Sequence, residues 1–190
     1  SDGILMRLND FEIRKALVRK IESQTIKPKA IIEELRIHNG NAIADVVALY
    51  SEAHCYEIKG EKDKIERVLV QGEFYNSSFR KITLVTTSNH LQKAQKICPG
   101  YWGIIVAFNA DDSVKFRHVR GAKINPDFSK ELALLTLWKS EMLSLLEQPK
   151  YQRKPRDYLA HLISSNKQKA ELSNSICELL LTRKLSNTIC

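Results

Sequence analysis

The sequence predicts an α/β protein: a mixed central sheet of about five strands, helices on its flanks and a helical C-terminal segment. Three observations carry that expectation. Four short runs, Ala42 to Tyr50, Ala53 to Lys59, Lys81 to Thr87 and Trp102 to Phe108, have the length and apolar content of strands. Helical periodicity fills the gaps between the last three, and beyond residue 125 helical periodicity alone remains.

Taken in order, Asn9 can cap a first helix with the apolar stripe Ile13, Leu17 and Ile21, and Glu12 stands at capping-box spacing. Pro28 suits the first turn of a short second helix ending near Leu35, which would carry Glu33 and Glu34 and be stopped by His38-Asn39-Gly40. Ala42 to Tyr50 and Ala53 to Lys59 then form a hairpin about Ser51-Glu52. A helix from Lys62 to Ser77 would turn Ile65, Val68, Leu69, Gly72 and Tyr75 inward. The strand Lys81 to Thr87, a helix His90 to Ile97 stopped by Pro99-Gly100, and the strand Trp102 to Phe108 follow. Asn109 to Asp112 turns the chain into an edge strand, Ser113 to Val119. Three helices complete the chain, Phe128 to Leu146, Pro155 to Ser164 and Asn166 to Arg183, with Trp102 and Trp138 read as core. The expected division is an α/β core over residues 1–125 and a helical extension over 126–190.

A chain of 190 residues can bury one sizeable core, and its 43% apolar and 27% charged composition excludes disorder. No apolar run reaches the roughly 18 residues of a membrane span, and no apolar signal core opens the chain. Cys55, Cys98, Cys177 and Cys190 show neither CxxC spacing nor a histidine partner, which argues against zinc and disulfides and for a reduced, cytoplasmic setting without membrane contact. The net charge of +8 divides into +3 over residues 1–107 and +5 over 108–190. Such an excess favours a polyanionic partner, and the stretch with Lys150, Arg153, Lys154 and Arg156 is its densest part.

Charge inside strands is the feature that points to chemistry. Asp45 interrupts an otherwise apolar run, and alternation in Ala53 to Lys59 puts Glu57 and Lys59 on one face with Ile58 on the other. A hairpin brings Asp45 near Glu57. Two ionised carboxylates beside one ammonium cost several kcal/mol in an apolar setting, so a divalent cation is expected to complete the balance. Oxygen ligands select a hard ion, Mg²⁺ or Mn²⁺.

The order Glu34, Asp45, Glu57-Ile58-Lys59, Gln71 and Tyr75 resembles the PD-(D/E)XK nuclease superfamily, whose fold is restriction-endonuclease-like. The similarity runs from Ile31 to Trp102 through IIEEL, GNAIADVV, CYEIKG, QGEFY and KITLVTTSNH, and points to a group of small bacterial proteins known mostly from genomes. Ala44 stands where the superfamily motif has proline, and Ile43 where relatives often carry a basic residue. The resemblance implies that Asp45, Glu57 and the main-chain carbonyl of Ile58 hold Mg²⁺ or Mn²⁺, with Glu34, or Glu33 in its place, coordinating through water or a second ion. It also implies that Lys59 orients or activates the attacking water, while Gln71 and Tyr75 reach the site from the following helix to contact phosphate or backbone.

The expected activity is therefore metal-dependent hydrolysis of phosphodiester bonds in DNA, with RNA as an alternative substrate. Lys150, Arg153, Lys154 and Arg156 would extend the footprint, and the C-terminal helices would serve a homodimer or a protein partner. Two rivals are a catalytically silent nucleic-acid-binding or regulatory protein of the same fold, and a non-enzymatic helical adaptor. An isolated ExK tripeptide is common, and Asp45 with Lys59 alone could be a buried ion pair.

Overall fold

The computed structural model describes residues 8–188. After the helix α1 (Asp10–Ser23) come three antiparallel strands, β1 (Ala30–Ile37), β2 (Ala42–Leu49) and β3 (Ala53–Ile58). The helix α2 (Arg67–Ser78) crosses over to β4 (Lys81–Thr87), and α3 (Ser88–Ile97) crosses to β5 (Gly103–Ala110). Both β4 and β5 run parallel to β3, and β6 (Ser113–Arg120) returns antiparallel. The result is one six-stranded mixed sheet whose spatial order is the chain order.

The sixth strand is β1, and it corrects the expectation of a helix carrying Glu34. Ile31, Ile32 and Leu35 satisfy either period, but the apolar β2 needs a ladder partner, and β1 supplies one from Ala30↔Leu49 to Ile37↔Ala42. The helix breaker His38-Asn39-Gly40 becomes a one-turn 3₁₀ corner between these strands, with all three residues at positive φ.

Two apolar layers cover the sheet. Ile13, Leu17 and Ile21 of α1 meet Val46, Ala48, Ile58, Val85 and Ile105 on one face. On the other, Val68 and Tyr75 of α2 join Leu35, Val47, Cys55, Leu84 and Trp102. The C-terminal helices α4 (Lys130–Leu134), α5 (Lys139–Ser144), α6 (Arg156–Ser164) and α7 (Lys169–Thr188) add Leu134, Met142, Leu159, Leu172 and Leu180 to that second layer. Helices thus flank a mixed α/β sheet and form the C-terminal segment. The capping expectation at α1 is met by Asn9, whose side-chain oxygen accepts the Glu12 amide at 2.8 Å.

Three further corrections concern packing. Leu69, expected inward, is 53% exposed, because α2 is seated on Val68, Gly72 and Tyr75. The expected helix Phe128 to Leu146 is two short helices, α4 and α5. Arg156 donates to the carbonyls of Leu135 and Leu137, and Arg183 to that of Thr136, so these carbonyls end α4 on guanidinium groups. Trp138, read as core, is 54% exposed at the start of α5, whereas Trp102 is fully buried. Cys55, Cys98 and Cys177 are buried free thiols, and Cys190 lies outside the described residues. Among the described residues no helix is long and apolar enough to cross a membrane.

One contact fixes where α1 begins relative to the end of β3. A Cβ on Gly60 would stand 2.8 Å from the Asp10 nitrogen and 3.0 Å from the Asn9 Cα, so only glycine fits there without displacing backbone. Gly60→Ala is expected to destabilise the protein by about 1–3 kcal/mol through that displacement. Urea unfolding checks it: an unchanged midpoint and slope would show that the junction yields at no cost.

Candidate active site

The site is built where β2 and β3 stop pairing. Their ladder runs from Leu49↔Ala53 to Val46↔Tyr56, so the next facing pair in register is Asp45 and Glu57. There the Asp45 carboxylate replaces a backbone acceptor, its Oδ2 accepting the Ile58 amide at 2.8 Å. The neighbouring strand yields at the same level. Glu34 faces Asp45 in the β1–β2 register and has φ +57°, a left-handed conformation that a glutamate adopts only under strain. Ile32 and Leu35 pack in the same layer although three residues apart, as do Ala44 and Val47, so strand alternation slips at Glu34 and at Asp45.

Glu57 and Lys59 leave β3 toward α2. The Glu57 side chain is almost wholly enclosed, and the Lys59 ammonium lies 2.9 Å from its Oε1 and 2.7 Å from Oε1 of Gln71. The Lys59 amide donates to Val85 (2.9 Å), and the Thr86 hydroxyl donates to the Lys59 carbonyl (2.9 Å), so β4 holds the lysine by its backbone. Tyr75, one helical turn after Gln71, donates its hydroxyl to the Ile43 carbonyl at 3.0 Å.

Electrostatically the pair is poised between a proton and a cation. Burial, and then the Asp45 charge, push the Glu57 carboxyl up to about 8, against the opposing pull of Lys59. Asp45 is raised as well, first by burial, and is opposed by the Ile58 amide and the Glu57 side chain. As an ionised acceptor, Oε2 of Glu57 is buried with no hydrogen-bond partner. A proton on that oxygen, shared with Asp45, or a metal ion in its place removes the deficit. Burial, followed by the Glu57 charge, also lifts the Tyr75 hydroxyl far above its ordinary range, so it stays protonated.

The donor set fits a hard divalent ion that retains waters. Asp45, Glu57 and the Ile58 carbonyl supply oxygen, and Mg²⁺ is commonly held by one or two carboxylates. Among the described residues no cluster of three or more His, Cys, Asp or Glu side chains could hold a metal.

Other sequence-selected residues lie differently. Glu34 is on a strand, its side chain is 67% exposed, and its partner is Arg14 of α1 at 3.3 Å. Glu33 is also exposed on β1. Arg153 is exposed; Lys150 and Lys154 lie over the Tyr151 and Tyr158 rings at 5.0 and 4.9 Å. Arg156 points into the fold, onto Asn39 and the carbonyls that end α4. Arg14 and Thr86 were not selected from the sequence. Arg14 favours the ionised form of Asp45 from across the sheet edge, and only its place beside the buried stripe of α1 could have signalled it.

A model of the family described as Bacteriophage P4 protein cII matches residues 6–184. Protein cII of Enterobacteria phage P4 is 26% identical over 142 residues, which cover 74% of this chain and 54% of that protein. The chain thus spans about half the length of the curated relative it matches. A protein of unknown function from Silicibacter pomeroyi, SPO1766, aligns with a TM-score of 0.44 at 16% identity, over 78% of this chain and 96% of its own.

The Glu57 environment generates a pH dependence. Between its ordinary value of 4.5 and about 8 the folded protein keeps a proton that the unfolded chain releases. Stability is therefore expected to fall as pH rises through that window, by up to about 1.4 kcal/mol per unit, and to level off above it. Urea unfolding in EDTA across this range, with Glu57→Gln alongside, measures it. The variant should show the flatter profile, and equal slopes would assign the effect to another group.

Proposed function

The chain belongs to the bacteriophage P4 protein cII family, and for this member we propose, from its buried carboxylates, metal-dependent hydrolysis of phosphodiester bonds in DNA in the manner of a PD-(D/E)XK nuclease. The observation that carries the reading is the convergence of Asp45, Glu57, Lys59 and Gln71 at one level of the sheet, with Glu57 left one partner short.

Asp45, Glu57 and the Ile58 carbonyl would hold Mg²⁺ or Mn²⁺, which supplies Lewis-acid polarisation of the scissile phosphate and an acidified water. The remaining steps belong to side chains. The Lys59 ammonium, fixed between Glu57 and Gln71, presents its remaining donor to the attacking oxygen and offsets charge as the pentavalent phosphorus forms. Gln71 positions the lysine, so its part is indirect. Tyr75, bonded to the Ile43 carbonyl, braces the start of β2 against α2 and with it the Asp45 backbone.

A second reading is a catalytically silent nucleic-acid-binding or regulatory member of the fold. Two observations favour it: the family is named for a phage protein rather than for a reaction, and Glu34 is drawn off to Arg14, leaving two carboxylates.

Incubating plasmid and oligonucleotide with Mg²⁺ or Mn²⁺, against EDTA, separates the readings. Cleavage that requires metal, is lost at least 100-fold in Lys59→Ala and leaves DNA binding intact is the expected result. Mg²⁺ should raise the melting temperature of the wild type and leave Asp45→Asn unmoved. Undiminished cleavage by Lys59→Ala would remove the lysine from the chemistry, and metal-independent binding without cleavage would establish the silent reading.

A further inference from the structure

A basic cavity lies beyond the β1–β2 corner, apart from the carboxylates. It has a volume of about 370 Å³ and is lined by Arg36, Asn39, Gly40, Trp138, Lys139, Arg156 and Arg183, with the 135–137 backbone as its floor. Four of these side chains are cationic and none is acidic. Glu141, the nearby carboxylate, is consumed by Arg183, whose Nε lies 3.0 Å from its Oε2.

The cations divide into two kinds. Arg156 and Arg183 spend their donors on Asn39, Glu141 and the carbonyls of Leu135, Thr136 and Leu137, so they contribute field and rigidity. The side chains of Arg36 and Lys139 make no hydrogen bond or ion pair within the described residues. Trp138 completes the set. The Arg183 guanidinium sits 4.0 Å from the centroid of its ring, and yet 54% of the residue is open to solvent. An exposed indole backed by a cation and flanked by two free cations matches a planar base joined to a phosphate: the base stacks on the ring and the phosphate meets Arg36 and Lys139. Arg36 faces Ile43 across the β1–β2 ladder, two residues along β2 from Asp45, and neither Asp45 nor Glu57 lines the cavity.

We propose that this cavity is a nucleotide-binding subsite, occupied by one unit of a single-stranded nucleic acid, with Trp138 as stacking platform and Arg36 and Lys139 as phosphate contacts. It shares its partner with the catalytic reading but not its chemistry, and can be measured without metal. Since Trp102 is fully enclosed, a change in tryptophan emission on titration reports Trp138.

The experiment titrates the full chain in EDTA with a short oligothymidylate and, separately, with thymidine monophosphate. Emission follows Trp138, and the anisotropy of labelled oligonucleotide gives the affinity of each variant. Quenching by the oligonucleotide is expected. Trp138→Ala should lose the quenching and bind about tenfold more weakly, whereas Trp138→Phe should lose the signal and keep most of the affinity. Arg36→Ala with Lys139→Ala should flatten the slope of log K against log salt by about 1.4. Lys139→Gln, a near-isosteric change at a half-buried position, covers the case in which the double variant melts early. Saturation by the monophosphate at equal affinity would identify a free nucleotide as the ligand, and a requirement for the oligonucleotide would identify a strand. Failure of both to quench, or affinity and salt slope unchanged in every variant, overturns the proposal. That failure would leave the hydrolytic reading standing, because cleavage is scored separately in Mg²⁺.

Discussion

A single hydrogen bond organises this protein, the one from the Ile58 amide to the Asp45 carboxylate. Strand pairing between β2 and β3 could continue to the end of both chains, since each is apolar enough. It stops because a side chain takes the place of the next carbonyl. Two consequences follow together. The strands part at the level where Glu57 and Lys59 emerge, so their charged ends gain room facing α2. The loss of ladder geometry spreads one strand further, into the left-handed Glu34 of β1. Strain of about 1–3 kcal/mol at such a residue persists only where the surroundings impose it, and here they do so from both sides, through the register with β2 and the Arg14 contact.

Charge bookkeeping within the opening is unfinished in a specific way. One ammonium is set against two carboxylates, with Gln71 turning its acceptor oxygen, not its amide, toward the lysine. Lys59 is thereby held at one oxygen of Glu57, while the second oxygen is buried without a hydrogen-bond partner. A buried polar atom left without a partner is uncommon in a folded protein and is more often a place of exchange, with proton, water or ion as the moving part.

Much of this was legible in the sequence, and the parts that were not have identifiable reasons. The strands β2 to β6, the turn at Ser51-Glu52 and the facing of Asp45 and Glu57 follow from alternation and turn chemistry, both local properties of the chain. The strand β1 was obscured because Ile31, Ile32 and Leu35 suit two periods, and the slip at Glu34 erases the alternation that would have chosen between them. The break between α4 and α5 depends on Arg156 and Arg183, from about 20 and 47 residues downstream, and no local pattern contains that information. The same distant contacts explain two misjudged residues: Arg156 is drawn inward from a stretch that reads as a basic linker, and Trp138 is left outside because its helix starts afresh. At the candidate site, Gln71 and Tyr75 reach Lys59 and Ile43 as one helical turn allows, whereas Glu34 stands apart because its supposed helix does not exist.

The strand order β1-β2-β3-β4-β5-β6 bears on how the molecule is made. Each strand finds its partner in the segment next to it, so no pairing must wait for a distant part of the chain, and the entropy of closing each loop stays small. A chain emerging from the ribosome can therefore add strands one at a time to an existing edge. Asp45, Glu57, Lys59, Gln71 and Tyr75 all precede β4, so they belong to the part of the sheet that forms before its parallel half. The exception lies beside α2, where Leu172, Ile176 and Leu180 of α7 join a layer with Leu35, Leu49 and Cys55, which precede them by more than 100 residues. Until α7 is in place, the part of that face beside α2 lacks its apolar cover, and α7 completes the layer that α2 begins.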